Sequence, residues 1–204
     1  MLSFNVRLFN LYEKGEELNE ASQTLSTILS SENPDIVCLQ EYYKKNTADF
    51  SAYPYQYKHF KEDNILGHAI YSKYPIVNKG AFDFENTFNN SLFADVLVGA
   101  DTIRVYNLHL QSMGIIASVE ELQEENQERV RKRLSRAFVK QEQQANVIIE
   151  HRSNSPHPVL LAGDFNNTPF SYVFRSLCAD MQDAFLERGN GLGSTFTFDF
   201  YPMR

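Results

Sequence analysis

Four short apolar runs along the chain each lead directly into a polar side chain capable of chemistry. Leu2–Val6 carries Asn5 near its end, and Ile36–Leu39 leads into Gln40-Glu41. Ile103–Leu110 carries His109 near its end, and Val159–Ala162 leads into Gly163-Asp164-Phe165-Asn166. Continuous apolar runs of this length suit strands covered on both faces, or facing the inside of a sandwich. Gly67–Tyr71, Phe93–Val98 and Thr195–Phe200 are further strand candidates. Lys73-Tyr74-Pro75 reads as a turn, because proline cannot continue a hydrogen-bonded ladder.

Two segments carry helical spacing. Leu18, Ala21, Leu25, Ile28 and Leu29 recur at three- and four-residue steps, and Asn33-Pro34 ends the run. A longer amphipathic stretch is marked by Leu122, Val130, Leu134, Ala137, Phe138, Ala145 and Ile148. Its first part holds Glu120, Glu121, Glu124, Glu125 and Glu128, followed by Arg129, Arg131, Lys132, Arg133 and Arg136. Acid early and base late suits a helix dipole, and Glu125–Arg129 and Glu128–Lys132 have favourable i,i+4 spacing. A solvated helix face accounts for these charges, and a basic patch for anionic lipid or nucleic acid is the alternative. Strands and helices in mixed order point to a layered α/β protein. Ser153–Pro158 is a loop feeding the fourth apolar run, and no linker divides the chain.

At 204 residues one domain is expected. Nineteen Lys and Arg against 26 Asp and Glu give a net charge of −7, which disfavours a protein living by non-specific phosphate contacts. Cys38 and Cys178 make no disulfide framework, and Cys38 reads as a buried free thiol. No run of about 18 apolar residues and no signal-peptide pattern occurs, so the chain as given reads as soluble. Both ends look strand-like, without the polar fray usual at domain termini, so the chain reads as cut at both ends.

The polar run-ends each allow two readings. Asp164 and Asn166 lie two apart, so a strand would point them the same way, suited to orienting water and a phosphoryl oxygen. An Asx turn closing the strand gives the same pattern. Glu41 at the rim of an apolar run must be solvated, paired or bound to a cation, and a hard oxygen ligand suits Mg²⁺. Asn5 reads as a strand-end cap or a site amide. His109, which shares a strand face with Asn107, reads as a satisfied rim histidine or a donor to phosphate. The other histidines, His59, His68, His151 and His157, lack ligand spacing. No glycine-rich phosphate loop, Cys-x-x-Cys pair, His-Glu-x-x-His or Gly-x-Ser-x-Gly occurs.

Taken in order, Ser3-Phe4-Asn5-Val6-Arg7, Asp35–Glu41, Gly67–Ile76, Asn107-Leu108-His109-Leu110-Gln111 and Gly163-Asp164-Phe165-Asn166 resemble the endonuclease/exonuclease/phosphatase superfamily. The resemblance covers nearly the whole chain. It implies a DNase I-like four-layered α/β sandwich, two mixed β-sheets face to face with outer helices, here lacking the last strands. It also implies phosphoester hydrolysis with Mg²⁺ or Mn²⁺. By that likeness Asn5 and Glu41 lie at the metal, His109 holds a phosphate oxygen and Asp164 orients the attacking water. Asn166 supports the phosphate or Asp164, and Arg7 and Asn107 are the expected substrate contacts. The expected partner is a phosphoester: nucleic acid, a phospholipid head group or a small phosphodiester. No stable protein partner is expected. The His-Leu-Gln form of the Asn107 motif is closer to the sphingomyelinase and general bacterial branches than to abasic-site repair enzymes.

One departure is large. Family members continue to a Ser-Asp-His strand with a general-base histidine, and no Asp-His pair exists in this sequence. Residues 1–204 are therefore expected to form a single, incomplete domain with little activity, since a lost general base costs about 10²–10⁴ in rate. The competing expectation is a binding module that keeps the fold without the chemistry. Relatives of this pattern often carry hydrophobic helices upstream, so the parent protein is expected to be cytoplasmic or membrane-anchored.

Overall fold

The computed structural model describes residues 1–12, 20–46, 48–62, 64–114, 126–191, 193, 195–198 and 201–203. The chain divides into two compact units, Met1–His109 with Asn154–Asp164, and Leu110–Ser153 with Phe165–Arg204. The breaks fall at element ends rather than in linkers.

The first unit holds two four-stranded mixed sheets. One contains β1 (Leu2–Asn5), β2 (Ile36–Tyr43), β4 (Leu66–Ser72) and β3 (Tyr55–Phe60), in that spatial order. The other contains β5 (Ile76–Asp83), β6 (Asn90–Val98), β7 (Asp101–His109) and β8 (Val159–Asp164). β1 and β2 run parallel, as do β7 and β8, and the remaining pairs are antiparallel.

Strand β2 shows why its sequence is continuously apolar. Ile36 and Cys38 pack with Ile70, Leu92, Ala94 and Val105, joining both sheets in one core. Val37 and Leu39 face the other way, into a cluster with Leu25 of α1 (Glu20–Glu32), Val6, Phe9 and Tyr71. Alternation over two covered faces removes the polar positions a half-exposed strand would show. Each such aliphatic side chain contributes about 1.5–3 kcal/mol by leaving water. α1 stops where expected: Asn33, with φ +44°, closes it on the carbonyl of Leu29, and Pro34 follows. Cys38 is the buried free thiol expected, and burial pushes its pKa up to about 12.

In the second unit, α2 (Gln127–Ser153) turns Ala137, Gln141, Gln144, Ala145 and Ile148 inward. Asn126 caps it, accepting at Oδ1 from the amides of Glu128 and Arg129. The helix was expected to open with Glu120–Glu125; those residues, and the Glu125–Arg129 pair, lie outside the described ones. The Glu128–Lys132 pair forms at 2.7 Å. Two short helices, α3 (Tyr172–Leu177) and α4 (Ala184–Arg188), are capped by Ser171 and Asp183. The strand expected over Thr195–Phe200 is β9 (Phe196–Phe198), antiparallel to β10 (Tyr201–Met203). No helix among the described residues is long and apolar enough to cross a membrane.

Candidate active site

Parallel pairing brings the polar strand ends together. In the first sheet Asn5 of β1 stands opposite Gln40 of β2, and in the second His109 of β7 stands opposite Asp164 of β8. The two sheets share one core within the first unit, and side-chain bonds join their ends. Asn5 Nδ2 donates to Glu41 Oε1 at 3.0 Å and to Asp164 Oδ2 at 2.9 Å. Its own Oδ1 accepts from the Arg7 amide at 3.0 Å, which fixes the way the amide faces. His109 Nε2 lies 3.8 Å from Glu41 Oε1.

Local backbone irregularities aim these groups. Leu39 pairs with Ala69, but the next pair is Tyr42 with Gly67, so Gln40 and Glu41 together oppose His68. This is a β-bulge, and Glu41 adopts φ +50° within it. The extra residue keeps Tyr42 in the Leu39 cluster while releasing Glu41 from the ladder to the sheet end. Arg7–Asn10 form a left-handed turn with φ between +45° and +56°, and buried Phe9 anchors it. Non-glycine residues enter that region at a cost, and such outliers cluster at functional sites. Gly163 is required for a different reason: at φ +140° a Cβ there would lie 2.1 Å from the Leu108 carbonyl oxygen of the neighbouring strand.

His109 is buried, and desolvation pulls its pKa below the ordinary range against the charges of Asp164 and Glu41. It is therefore mainly neutral at pH 7. Its Nδ1 is hydrogen-bonded to His68 Nε2 at 3.1 Å. His68 is wholly buried, and burial followed by the proximity of His109 lowers its pKa well below the usual value. Sequence spacing did not select His68. The available signal was a histidine inside the apolar strand Gly67–Tyr71, which must find a partner there.

The other expected site residues sit differently. Asn107 is wholly buried between the sheets: its Nδ2 donates to the Leu39 and Ala69 carbonyls, and its Oδ1 accepts from Gln40 at 2.6 Å. Its amide staples one sheet to the other, and three of the four positions an amide offers are taken by protein partners. Arg7 is exposed, and its backbone holds Asn5. β8 ends at Asp164, and Asn166 has φ +49°, so the two-residue strand period expected to align them does not reach Asn166. Asn166 belongs to the second unit, where its Nδ2 donates to the Leu110 carbonyl and its own carbonyl accepts from Gln141. Gln141, another residue the sequence reading passed over, also binds the Gln111 carbonyl and Asn167.

A match to the family model of the Endonuclease/Exonuclease/phosphatase family spans residues 2–204. The chain belongs to this family. Solved structures agree on the fold, with two mixed sheets and helices. Sphingomyelinase C from Streptomyces griseocarneus superposes with a TM-score of 0.62 at 19% identity, over 88% of this chain and 68% of that one. A functionally unknown conserved protein from Enterococcus faecalis gives 0.62 at 18%, over 85% and 69%. TDP2 from C. elegans gives 0.58 at 18%, over 81% of this chain and 47% of that one. This family member therefore spans about half the length of the C. elegans TDP2 chain it matches. A comparison with curated protein sequences finds no match.

The donor set suits a hard divalent cation. Glu41 and Asp164 offer carboxylate oxygens and share one neutral amide. Among the described residues no group of three or more His, Cys, Asp and Glu forms a metal cage. One or two carboxylates completed by water is the arrangement Mg²⁺ favours.

Proposed function

We propose that this chain carries the site of a divalent-cation-dependent phosphoesterase, with a phosphodiester as the preferred substrate class. The supporting observation is the convergence of Asn5, Glu41, His109 and Asp164 at the ends of two parallel strand pairs. Glu41 would hold Mg²⁺ or Mn²⁺, which when bound supplies charge neutralisation at the phosphoryl and leaving oxygens. Asn5, expected at the metal but with its Oδ1 turned to the Arg7 amide, would steady the carboxylates from Nδ2.

The side chains divide the remaining work. Neutral His109 donates from Nε2 to a non-bridging phosphate oxygen. That role requires its Nδ1 to accept, so His68 donates from its Nε2 and fixes the tautomer. Asp164, steadied at Oδ2 by Asn5, orients the attacking water. Water then adds to phosphorus and gives up a proton to solvent, the ester P–O bond breaks, and the departing oxygen takes a proton from solvent. Asn107 holds the sheets in register beneath His109, and Asn166 steadies the chain beyond Asp164. Arg7 would contact substrate phosphate from its turn.

The sequence holds no Asp-His pair to act as a general base. We therefore expect turnover of the 204-residue chain to be slow. Hydrolysis of bis(p-nitrophenyl) phosphate in Mg²⁺ tests the reading. Weak, EDTA-sensitive turnover that Asp164→Asn and His109→Ala abolish supports it. Turnover unchanged in both variants refutes it. The binding-module reading draws on the same missing pair and is favoured if wild-type turnover is absent and Mg²⁺ leaves the melting temperature unmoved.

A further inference from the structure

Like charges crowd the N-terminal half of α2. With the helix opening at Gln127, the cations Arg129, Arg131, Lys132, Arg133 and Arg136 all fall in its N-terminal part, where Glu128 is the acid of the first turn. Glu128 in the first turn and His151 and Arg152 in the last suit the helix dipole, but like charges four residues apart, as in Arg129–Arg133 and Lys132–Arg136, repel. A local arrangement that opposes stability is a pointer to function.

Those cations are also gathered by shape. Arg129, Lys132, Arg133, Arg136 and Lys140, spaced at three and four residues, line one side of a cavity of about 600 Å³. The segment after β7 forms the facing wall, through Ser112, Met113 and Gly114. That wall is held in place. Gln144 accepts from the Gln111 amide at 2.8 Å, Gln141 donates to its carbonyl at 2.7 Å, and the Gly114 amide donates to Ser112 Oγ. Gly114 takes φ +61°, and a Cβ there would come within 3.5 Å of the Arg133 side chain, so the wall lies close against the cations. Lys132 is bonded to Glu128, an exposed pair of small value. No aspartate, glutamate or aromatic side chain is among the described residues that line the cavity. Among the described lining residues there is no aromatic face on which the bases of a single-stranded nucleic acid would stack.

We propose that this cavity binds a compact group bearing several phosphates. Concentrated guanidinium groups recognise phosphate by paired, charge-assisted hydrogen bonds. In a chain of net charge −7 this is a local exception to the overall balance. The site lies wholly in the second unit, is lined by none of Asn5, Glu41, His109 or Asp164, and does not depend on the hydrolase reading. A free polyphosphorylated molecule and a phosphorylated lipid head group share this chemistry.

Two binding experiments on the 204-residue chain at about 0.15 M salt, where exposed charges are screened beyond about 8 Å, separate the sources. Inositol hexakisphosphate is titrated by calorimetry. Cosedimentation uses phosphatidylcholine vesicles carrying a bisphosphorylated phosphoinositide, with phosphatidylserine vesicles of matched charge as the control. Saturable binding of the hexakisphosphate alone assigns a free ligand, and phosphoinositide-selective vesicle binding assigns a head group. The double change Arg133→Glu with Arg136→Glu should weaken binding at least about tenfold, through lost charge-assisted contacts. Arg131→Glu, the same charge change outside the lining, should weaken it less than about threefold. Circular dichroism confirms that each variant folds. Should the double variant not fold, Arg136→Ala at an exposed position replaces it, with about a threefold loss expected. Absence of binding in both arms, equal binding to phosphatidylserine vesicles without any hexakisphosphate binding, or an equal loss in Arg131→Glu overturns the proposal.

Discussion

Two carboxylate centres in the first unit are built from the same chemistry and arranged to opposite ends. On β6, Asp95 is almost wholly buried and meets the Arg104 guanidinium of β7 through two bonds of 2.7 Å, with Asn78 donating a third at 2.9 Å. At the strand ends, Glu41 and Asp164 instead converge on one neutral amide, that of Asn5. The first centre answers a charge with a charge inside the protein. The second gathers two negative groups where a cation or a phosphate with its metal could complete it. Satisfaction by a fixed partner reads as structure, and convergence on a neutral one reads as function.

The largest effect should follow from breaking the satisfied centre. Asp95→Ala leaves Arg104 buried without its carboxylate, which costs about 3–5 kcal/mol. Urea unfolding should show the unfolding free energy falling by that amount, and the midpoint falling with it. Replacing both Asp95 and Arg104 with apolar residues should recover much of the loss, and a double variant as unstable as Asp95→Ala would show that the ion pair itself drives folding.

Breaking the other centre should give the reverse pattern. Glu41→Gln should lower phosphodiesterase turnover about 10²–10³-fold, the scale of losing one electrostatic contributor to a transition state. Its melting temperature should hold or rise, because one of two crowded carboxylates has been neutralised. A fall in stability comparable to that of Asp95→Ala would place Glu41 among the structural charges and erase the contrast.

What the sequence showed, and hid, follows from the same distinction between local and distant causes. Strands β2 and β7 were legible because burial on two faces writes an uninterrupted apolar run, and β8 carries such a run although it is an outer strand with Leu160 exposed. β3 and β5 were not: each is the outer strand of its sheet, and Tyr55-Gln56-Tyr57-Lys58-His59-Phe60 mixes aromatic with polar side chains. Asn5, Glu41, His109 and Asp164 were legible as run-ends, and strand register brings them together. The bulge that frees Glu41, and the His68 partner of His109, depend on pairing with β4, which no spacing within one strand reveals. Asn107 lay on the expected strand face, yet its function as an inter-sheet staple depends on the Leu39 and Ala69 carbonyls across the sandwich. The acidic opening read for α2 over Glu120–Glu125 falls outside the described residues, and Asn126 caps the part that is described.

Acid titration sharpens the comparison with a smaller effect. Asp95 is desolvated, which raises its pKa, but hydrogen bonds from Arg104 and Asn78 and the Arg104 charge outweigh this and hold it below the ordinary value. A carboxyl depressed in the folded state stabilises the fold above its unfolded pKa of about 3.9, and that contribution is lost as pH falls through the folded value. Wild-type stability should therefore decline as pH drops below about 4, and Asp95→Asn should flatten that part of the profile. Equal slopes in the two proteins would show that other carboxyls control acid unfolding.

The smallest effect separates the centres most cleanly. A ligand that binds only the folded state stabilises it by RT ln(1 + [L]/Kd), about 2.7 kcal/mol at a hundredfold excess over Kd and far less near Kd. With few protein ligands and several waters, Mg²⁺ should bind in the weaker regime, so millimolar Mg²⁺ should raise the melting temperature by only a few degrees. The shift should vanish in Glu41→Gln and survive in an apolar Asp95/Arg104 double variant. Ca²⁺, which accepts the same oxygen donors at longer range, should shift the melt without supporting turnover. A Mg²⁺ shift that persists in Glu41→Gln would place the cation elsewhere and leave the strand-end carboxylates without the role their convergence implies.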